Sequence, residues 1–318
     1  MSRIKKLVIT STVLTLLASG ITYSLCKKNN SSNKYLSKYQ IEETDDLLMC
    51  AHRGFSSMEV ENTYKALSLA ADTYYIDCIE IDARMTKDGK IVLSHDNILM
   101  NKNKIPTKVS NLTYDEAIKT EFVYQSYNSP TFFWYDDEQI MVNNRFNGLS
   151  NQIFHLISLP DGIKACGDKT IIVDLKFNND FKDFTLELKK EVVDSSNLIF
   201  QSFDAEALKY LQSNTDFKCI LLVDSKSDLK YLNDFSGFAI KKSLITYDLV
   251  KELINQGKKV AVWTVNSTKD INSLLDEVGE YYQDIIYITD YPDLILTRIN
   301  EYKQTKNKSL ITRKGIYA

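Results

Sequence analysis

The sequence predicts a (β/α)8 barrel, a closed ring of eight parallel strands surrounded by helices, carrying a small insertion and preceded by an N-terminal hydrophobic helix. Short apolar runs typical of buried strands alternate with amphipathic helical segments through most of the chain. Polar side chains gather where these apolar runs end. No glycine-rich phosphate loop follows any run, which disfavours a doubly wound nucleotide-binding sheet.

Composition narrows the functional class. The chain has 318 residues, with 39 Lys and Arg against 42 Asp and Glu, for a net charge of −3. This near-balance argues against a basic nucleic-acid platform, so we expect no nucleic-acid partner. The five cysteines form no CxxC pair, which predicts neither a disulfide scaffold nor a structural zinc site.

The N-terminus resembles a membrane or export segment. Residues 7–25 carry no charge and follow Arg3, Lys5 and Lys6. We interpret residues 1–28 as a single-pass membrane anchor or a cleaved signal, and residues 29–46 as a linker. The alternative is a buried helix of the globular domain. Either an anchor or a signal would place the rest of the chain outside the cytoplasm and give it a membrane partner.

Nine segments have the composition of strands, one more than an eight-stranded barrel needs, so we expect one of them to be peripheral. They are residues 47–51, 75–82, 91–93, 170–175, 198–202, 219–223, 238–240, 260–265 and 285–288.

Helical patterns separate most of these strands, and Pro292 favours the first turn of a last helix. We assign residues 47–300 to the barrel and 301–318 to a C-terminal tail.

Residues from about 101 to 150 interrupt the alternation of strands and helices, which predicts an insertion. The insertion holds an aromatic cluster, residues 132–135, which either packs on the barrel or forms a lid over its mouth. Outside the insertion, the helices that separate the strands are expected at residues 62–73, 184–193, 205–211, 249–256 and 271–278.

Barrel chemistry is placed at the carboxyl ends of the strands. Glu80 and Asp82 are two apart, so they share a face of their strand, while Ile79 and Ile81 share the other. If the isoleucines face the helices, the two carboxylates point into the barrel mouth. Such a pair is otherwise commonly an exposed face. Buried carboxylates need a cation or another compensating partner. Other polar strand ends are His52-Arg53, His95, Asp174 with Lys176, Trp263 with Asn266, and Thr289-Asp290.

Several of these residues lie in motifs whose order and spacing resemble those of the glycerophosphodiester phosphodiesterase family. The likeness covers about residues 47–299. The motifs are His52-Arg53-Gly54, Glu61-Asn62-Thr63, Glu80-Ile81-Asp82, Thr86-Lys87-Asp88-Gly89, His95-Asp96, Asp174-Leu175-Lys176, Gln201-Ser202-Phe203, Trp263-Thr264-Val265-Asn266 and Thr289-Asp290-Tyr291-Pro292.

The resemblance implies a barrel that uses a divalent metal to hydrolyse glycerophosphodiesters to sn-glycerol 3-phosphate and an alcohol. By position, His52 and His95 resemble the family's catalytic acid–base pair. Glu80 and Asp82 resemble its metal ligands, and Asp174 stands where the family usually has a glutamate ligand. Oxygen ligands of this kind suit Ca²⁺ or Mg²⁺.

The same comparison assigns substrate contacts. Arg53 and Lys176 resemble phosphate-binding residues, and Trp263 resembles a wall of the glycerol pocket. The arginine that the family commonly carries shortly after the His-Asp pair is absent, since residues 97–103 contain only Lys102. We therefore expect a small or lipid-derived glycerophosphodiester as the substrate, with its head group undetermined.

Two rival functions stay open from the sequence. One is a phospholipase C- or D-like enzyme, or a phosphodiesterase of a cell-surface glycerophosphate polymer, on the same barrel. The other is a catalytically silent barrel used for binding. The third histidine, His155, lies in residues 151–157, which we predict to be helical, and we expect a structural role for it.

Overall fold

The computed structural model describes residues 48–124, 149, 151–178 and 180–315. The predicted N-terminal helix, the linker and the aromatic cluster of residues 132–135 therefore lie outside the described residues. Within the described ranges, no helix combines the length and the apolar character needed to cross a bilayer.

Eight parallel strands close into a barrel, which confirms the predicted fold class. Each barrel strand pairs with the next barrel strand along the chain, and the first pairs with both the second and the last to close the ring. The barrel strands are β1 (Leu48–Ala51), β2 (Cys78–Met85), β8 (Thr170–Leu175), β9 (Leu198–Ser202), β10 (Cys219–Val223), β11 (Gly237–Lys241), β12 (Lys259–Trp263) and β13 (Ile285–Thr289).

The extra strand among the nine predicted is residues 91–93, which lies outside the ring. Strand β3 (Ile91–Leu93) pairs antiparallel with the end of β2, with Ala83 opposite Leu93. Strand β2 is shifted relative to the predicted 75–82, because its last residues run past the ring to pair with β3. This extension places Glu80 and Asp82 in the middle of β2 rather than at its end.

Helices follow most strands, and polar N-caps mark where they begin. The side chains of Thr63, Asp204 and Ser267 accept backbone N–H groups of the first turns, which would otherwise lack partners. A short 3₁₀ segment, Lys226–Tyr231, connects β10 to β11. The helices are α1 (Tyr64–Ala71), α2 (Tyr114–Lys119), α3 (Leu159–Ala165), α4 (Phe181–Glu191), α5 (Ala205–Asn214), α6 (Tyr247–Asn255), α7 (Thr268–Val278) and α8 (Pro292–Gly315).

Two of these helices differ from expectation. Helix α8 begins at Pro292 as predicted, and it continues through residues that we had assigned to the C-terminal tail as far as Gly315. Helix α3 lies between the insertion and β8, where the sequence had suggested no helix.

The described residues in and around the insertion form two antiparallel strand pairs, a 3₁₀ turn at Val109–Asn111, and α2. Strands β4 (Ile98–Met100) and β5 (Pro106–Lys108) form one hairpin-like pair, and β6 (Phe122–Val123) pairs with β7 (Ile153–Phe154). The helical interpretation of residues 151–157 is therefore wrong, since β7 lies there and pairs with β6. The insertion shares a small apolar core with the segments that flank it, made of Val92, Val109, Ala117, Phe122 and Leu156.

Alternate residues of the strands fill the barrel interior with an apolar cluster beneath the mouth. It includes Cys50 and Cys78, which face each other on β1 and β2 and are joined as a disulfide. The expectation that the cysteines form no disulfide framework is corrected to one bond, because the pairing of β1 with β2 brings together cysteines 28 residues apart. Cys166 and Cys219 are free and buried.

Candidate active site

The predicted site residues meet at the carboxyl ends of the barrel strands. A pocket of about 100 Å³ at the mouth is lined by all eight residues that the sequence singled out. It opens beside a larger cleft of about 600 Å³ that also reaches His52, Arg53 and His95. The pocket's eight predicted residues are His52, Arg53, Glu80, Asp82, His95, Asp174, Lys176 and Trp263.

Three buried carboxylates form the acidic centre of the pocket. Glu80, Asp82 and Asp174 each offer an oxygen, and these oxygens lie within 4.8 Å of one another. Asp82 and Asp174 are register partners on neighbouring strands, which explains their proximity. Ile79 and Ile81 are fully buried on the opposite face of β2, as the alternation of the sequence predicts.

Two cations lie against these carboxylates. The Lys176 Nζ is 2.5 Å from Asp174 Oδ2 and 3.0 Å from Asp82 Oδ1. The Arg53 Nε lies 3.3 Å from Asp82 Oδ2, and its Nη1 donates a hydrogen bond to Glu61 Oε1 at 2.8 Å. Both side chains are largely shielded from solvent, so their positive charge is concentrated on the pocket.

The pKa values of the three carboxyl groups are shifted in different directions. Burial raises the pKa of Glu80 well above its usual value, and repulsion from Asp82 and Asp174 adds to the rise. Burial also raises the pKa of Asp174, although Lys176 opposes the shift. For Asp82 the effect of burial is outweighed by Lys176 and Arg53, which hold the pKa of its carboxyl below the usual range.

The three acids fit a hard divalent cation. Their donor atoms are all carboxylate oxygens, which suit Ca²⁺ or Mg²⁺ better than softer metals. Asp174 Oδ1 is buried and finds no hydrogen-bond donor among the described residues. Buried oxygens without donors are costly, and a metal ion would satisfy this atom and offset the repulsion among the carboxylates.

His52 is held in a network of buried polar groups. Its Nδ1 lies 2.6 Å from Asp290 Oδ1, which also accepts a hydrogen bond from the Ser56 hydroxyl at 3.0 Å. Asn266 Nδ2 donates to the second Asp290 oxygen at 2.5 Å. The other ring nitrogen, Nε2, lies 3.9 Å from Glu80 Oε2 and so faces the acidic centre.

His95 approaches from the loop after β3 and is more exposed. Its Nδ1 lies 2.8 Å from Asp96 Oδ1. Its backbone is fixed from below, since Arg84 Nη2 donates to the His95 carbonyl at 2.6 Å and the Ser94 N–H donates to the Asp82 carbonyl at 2.9 Å. These bonds tie the loop to β2, the strand that carries two of the acids.

Trp263 ends β12 and forms part of the pocket wall. Its indole Nε1 donates to the Ala239 carbonyl at 2.8 Å, and its ring makes an edge-to-face contact with Phe203 at 5.7 Å between centroids. Phe203 is 48% exposed, so the two rings present an aromatic surface at the mouth.

The turn after β1 has an unusual backbone that positions Arg53. Arg53 and Gly54 have φ angles of +59° and +82°. The Arg53 N–H donates to Glu80 Oε2 at 3.0 Å. A Cβ on Gly54 would lie 2.7 Å from the carbonyl carbon of Ala66 in α1, so glycine is required for both conformation and space.

Three functional neighbours had no role assigned from the sequence. Asp290 orients His52, and Glu61 binds Arg53. Asn62 exchanges two hydrogen bonds with Asp82, donating to Oδ2 at 2.8 Å and accepting from the backbone N–H at 3.0 Å. All three lie within the sequence motifs that resemble those of the family, and this position could have indicated a role in the site. Their partners become visible only in the folded chain. His155 is exposed and does not line the pocket or the cleft.

Known proteins share this architecture. A bacterial phosphodiesterase from Oleispira antarctica, solved in complex with the product sn-glycerol-3-phosphate, superposes with a TM-score of 0.60 at 21% identity, covering 80% of this chain and 96% of its own. A putative glycerophosphoryl diester phosphodiesterase from Silicibacter pomeroyi gives 0.64 at 19% identity, over 82% and 96% of the two chains. These similarities support the fold.

Sequence comparison identifies the family. The glycerophosphodiester phosphodiesterase of Bacillus subtilis is 26% identical over 285 residues, which cover 81% of this chain and 88% of the relative. The profile of the glycerophosphoryl diester phosphodiesterase family matches residues 52–293, a span that contains every residue of the pocket. The chain therefore belongs to the glycerophosphoryl diester phosphodiesterase family.

Proposed function

We propose that the protein hydrolyses glycerophosphodiesters to sn-glycerol 3-phosphate and an alcohol in a metal-dependent reaction. The observation that carries the proposal is the placement of two histidines on the rim of a pocket that also holds three buried carboxylates and two cations. Family membership and the product complex of the Oleispira antarctica relative support the same reaction class.

The charges of the pocket suit a phosphodiester monoanion. Glu80, Asp82 and Asp174 would hold the metal, Ca²⁺ or Mg²⁺, which when bound supplies Lewis-acid polarisation of the phosphoryl oxygens. Arg53 and Lys176 face the same space and would donate charge-assisted hydrogen bonds as negative charge builds up on the phosphoryl group.

The histidines supply proton transfer. The Asp290 contact at Nδ1 leaves Nε2 of His52 directed at the pocket, so this atom can accept or give a proton there. His95 lies where the pocket and the larger cleft meet. One imidazole would take a proton from the nucleophile, either water or the substrate's own glycerol hydroxyl. The other would protonate the departing alkoxide.

Trp263 would contact the glycerol moiety. Its ring and that of Phe203 provide an apolar wall beside the phosphate-binding cations, which suits the carbon backbone of a small polyol.

Substitution of the histidines tests the reaction. His52→Ala and His95→Ala should each lower kcat for glycerophosphocholine by about 10²- to 10⁴-fold, the usual contribution of acid–base catalysis. His155→Ala is the matched control, because this histidine is exposed and lies outside both cavities. Treatment with EDTA should abolish turnover, and Ca²⁺ or Mg²⁺ should restore it.

Three results would contradict the proposal or its test. Turnover that survives complete chelation would exclude the metal-dependent scheme. Loss of the same size in His155→Ala would show that the assay reports stability rather than catalysis. A catalytically silent barrel predicts no turnover in the wild-type chain with any substrate or metal.

We further propose that residues 1–28 export the chain or anchor it in a membrane, so that the barrel works outside the cytoplasm. The uncharged residues 7–25 after three basic residues support this. The test compares the full chain with one lacking residues 1–28 in carbonate-washed membranes, secreted medium and cytosol. Full-length protein found only in the cytosol would refute the proposal.

A further inference from the structure

The larger cleft beside the pocket has two chemically different walls. Its volume of about 600 Å³ lies within the range of roughly 300–1,000 Å³ typical of ligand sites. One wall carries the polar groups of the barrel mouth, among them His52, His95 and Asp290. The other wall comes from the insertion and from the segments that flank it, and it is apolar apart from the Tyr124 hydroxyl. Its residues are Leu93, Ile98, Leu99, Met100, Val123, Tyr124, Phe154 and Leu156.

The apolar wall is held in place by packing against other side chains. Leu99 and Phe154 pack on the small core of the insertion, and Leu156 belongs to that core. Phe154 also contacts the rings of Phe122 and Tyr124. A wall fixed in this way can bind an apolar group without first becoming ordered, which lowers the entropic cost of binding.

The cleft is continuous with the reaction site. His52, Arg53, His95 and Thr264 line both the cleft and the pocket of the acidic centre. A phosphodiester seated at the acidic centre with its glycerol against Trp263 would therefore extend its second ester group past the histidines into the cleft.

The charges bordering the cleft are already paired. Glu61 binds Arg53, Asp290 binds His52, and Asp96 lies 2.8 Å from the His95 ring. Among the described residues of the apolar wall, none carries a charge. A cationic alcohol would find no unpaired carboxylate on that wall, whereas an aliphatic one would bury its chain.

We propose that this cleft is the leaving-group subsite and that it selects phosphodiesters whose alcohol carries an aliphatic chain. The inference rests on the proposed function, since it concerns the alcohol released by that reaction. It makes lipid-derived substrates with a long-chain alcohol the preferred class, over esters of small polar alcohols.

A homologous series of soluble esters tests the subsite. The probes are the sn-glycerol 3-phosphate esters of ethanol, butanol, hexanol and octanol, assayed with the metal-loaded full chain. The value of kcat/KM should rise with chain length by about two- to threefold per methylene, as expected for partial burial of each added group. The neutral carbon isostere of choline should be hydrolysed at least as efficiently as glycerophosphocholine.

Two exposed isoleucines, one next to the insertion and one within it, provide a matched pair of variants. Ile98 lines the cleft and is 58% exposed, so Ile98→Asn should fold normally and flatten the dependence of kcat/KM on chain length. Ile105 is 56% exposed and does not line the cleft, so Ile105→Asn should keep the wild-type dependence.

The outcomes separate this inference from the reaction itself. Hydrolysis of the ethyl ester with no rise along the series, or a choline ester tenfold better than its neutral isostere, would overturn the aliphatic subsite and leave the proposed reaction intact. Equal flattening by Ile98→Asn and Ile105→Asn would also overturn it. If no ester is hydrolysed with either metal, both the reaction and the subsite are refuted.

Discussion

The two histidines of the site have carboxylate partners in unlike environments. His52 is paired with Asp290, which burial would make harder to ionise, but His52 and Arg53 hold the pKa of the Asp290 carboxyl below its usual value. Asp96, the partner of His95, has a side chain that is 45% exposed. The buried pair restricts the ring more strongly, because solvent competes less for its hydrogen bond.

Removing the Asp290 charge tests this restriction. Asp290→Asn should lower kcat/KM by about 10²-fold, because a neutral amide no longer compensates the positive charge that His52 carries while it holds the transferred proton. The measurement is steady-state hydrolysis of glycerophosphocholine together with the binding of Ca²⁺ or Mg²⁺ by calorimetry. Metal affinity should change little, since Asp290 is not among the three acids of the centre.

Asp115→Asn is the control, because Asp115 is exposed on α2 and pairs only with Lys119 in the described structure. Activity of Asp290→Asn close to that of wild type would show that Asp290 does not position His52.

The turn after β1 fits closely beneath helix α1. Gly54 combines a φ of +82° with a close approach to the backbone of Ala66. Gly89, in the turn between β2 and β3, has almost the same φ of +81° but nothing within 4 Å of its would-be Cβ. The two glycines therefore separate the cost of backbone strain from the cost of steric overlap.

Gly54→Ala should destabilise the protein by more than the roughly 1 kcal/mol expected for Gly89→Ala, where strain acts alone. Urea unfolding of both variants measures the difference. Gly54→Ala should also reduce activity, because the adjacent Arg53 N–H donates to Glu80. Equal destabilisation of the two variants would show that α1 moves away from the turn without cost.

Helix α4 contacts the antiparallel strand β3 through a half-buried acid. Glu191 accepts the Ile91 N–H at 3.4 Å. Burial, with repulsion from Glu187, raises the pKa of Glu191 to about 7. The folded chain then holds a proton that the unfolded chain has lost, so stability falls as pH rises from the ordinary value of 4.5 towards 7.

Glu191→Gln should remove this loss and gain about 1 kcal/mol of stability at about pH 8, after allowance for screening of a half-exposed group. Thermal unfolding at about pH 5 and about pH 8 in EDTA measures the change. Glu206→Gln, at a side chain that is 73% exposed, still carries Glu191 and should keep the wild-type loss of stability between the two pH values. An unchanged pH profile in Glu191→Gln would contradict the assignment.

For the whole molecule, the acidic centre links strands β2 and β8, which are distant in sequence but adjacent in the ring. Burial and mutual repulsion oppose ionisation of Glu80 and Asp174 in the folded chain, and the two cations outweigh these effects only at Asp82. A metal held by all three would act on the stability of the entire barrel, because it binds the folded arrangement alone.

Calcium or magnesium at about a hundred times its Kd should therefore stabilise the chain by about 2.7 kcal/mol. Differential scanning calorimetry with and without EDTA measures the shift in Tm. Glu80→Gln should abolish the metal-dependent rise and increase the Tm of the metal-free chain, since it removes repulsion. Glu206→Gln should keep the wild-type shift. A full metal response in Glu80→Gln would place the metal elsewhere.

Much of the fold was predictable because buried parallel strands and amphipathic helices have local signatures. The alternation of Ile79, Glu80, Ile81 and Asp82 indicated which face of β2 would meet the barrel mouth, and the structure places them in that way. The helical interpretation of residues 151–157 failed because a two-residue strand has too few positions to show a period.

The barrel class, the strands that carry chemistry and the residues that resemble the family's site were all predictable from the sequence, since each depends on a local pattern or motif. Three features became visible only in the folded chain: Asp290 orients His52 across 238 residues, Cys50 faces Cys78, and an apolar wall in and around the insertion borders the reaction site. The physical reason is that strand register and the packing of an insertion set distances between residues remote in the chain, and no local periodicity encodes those distances.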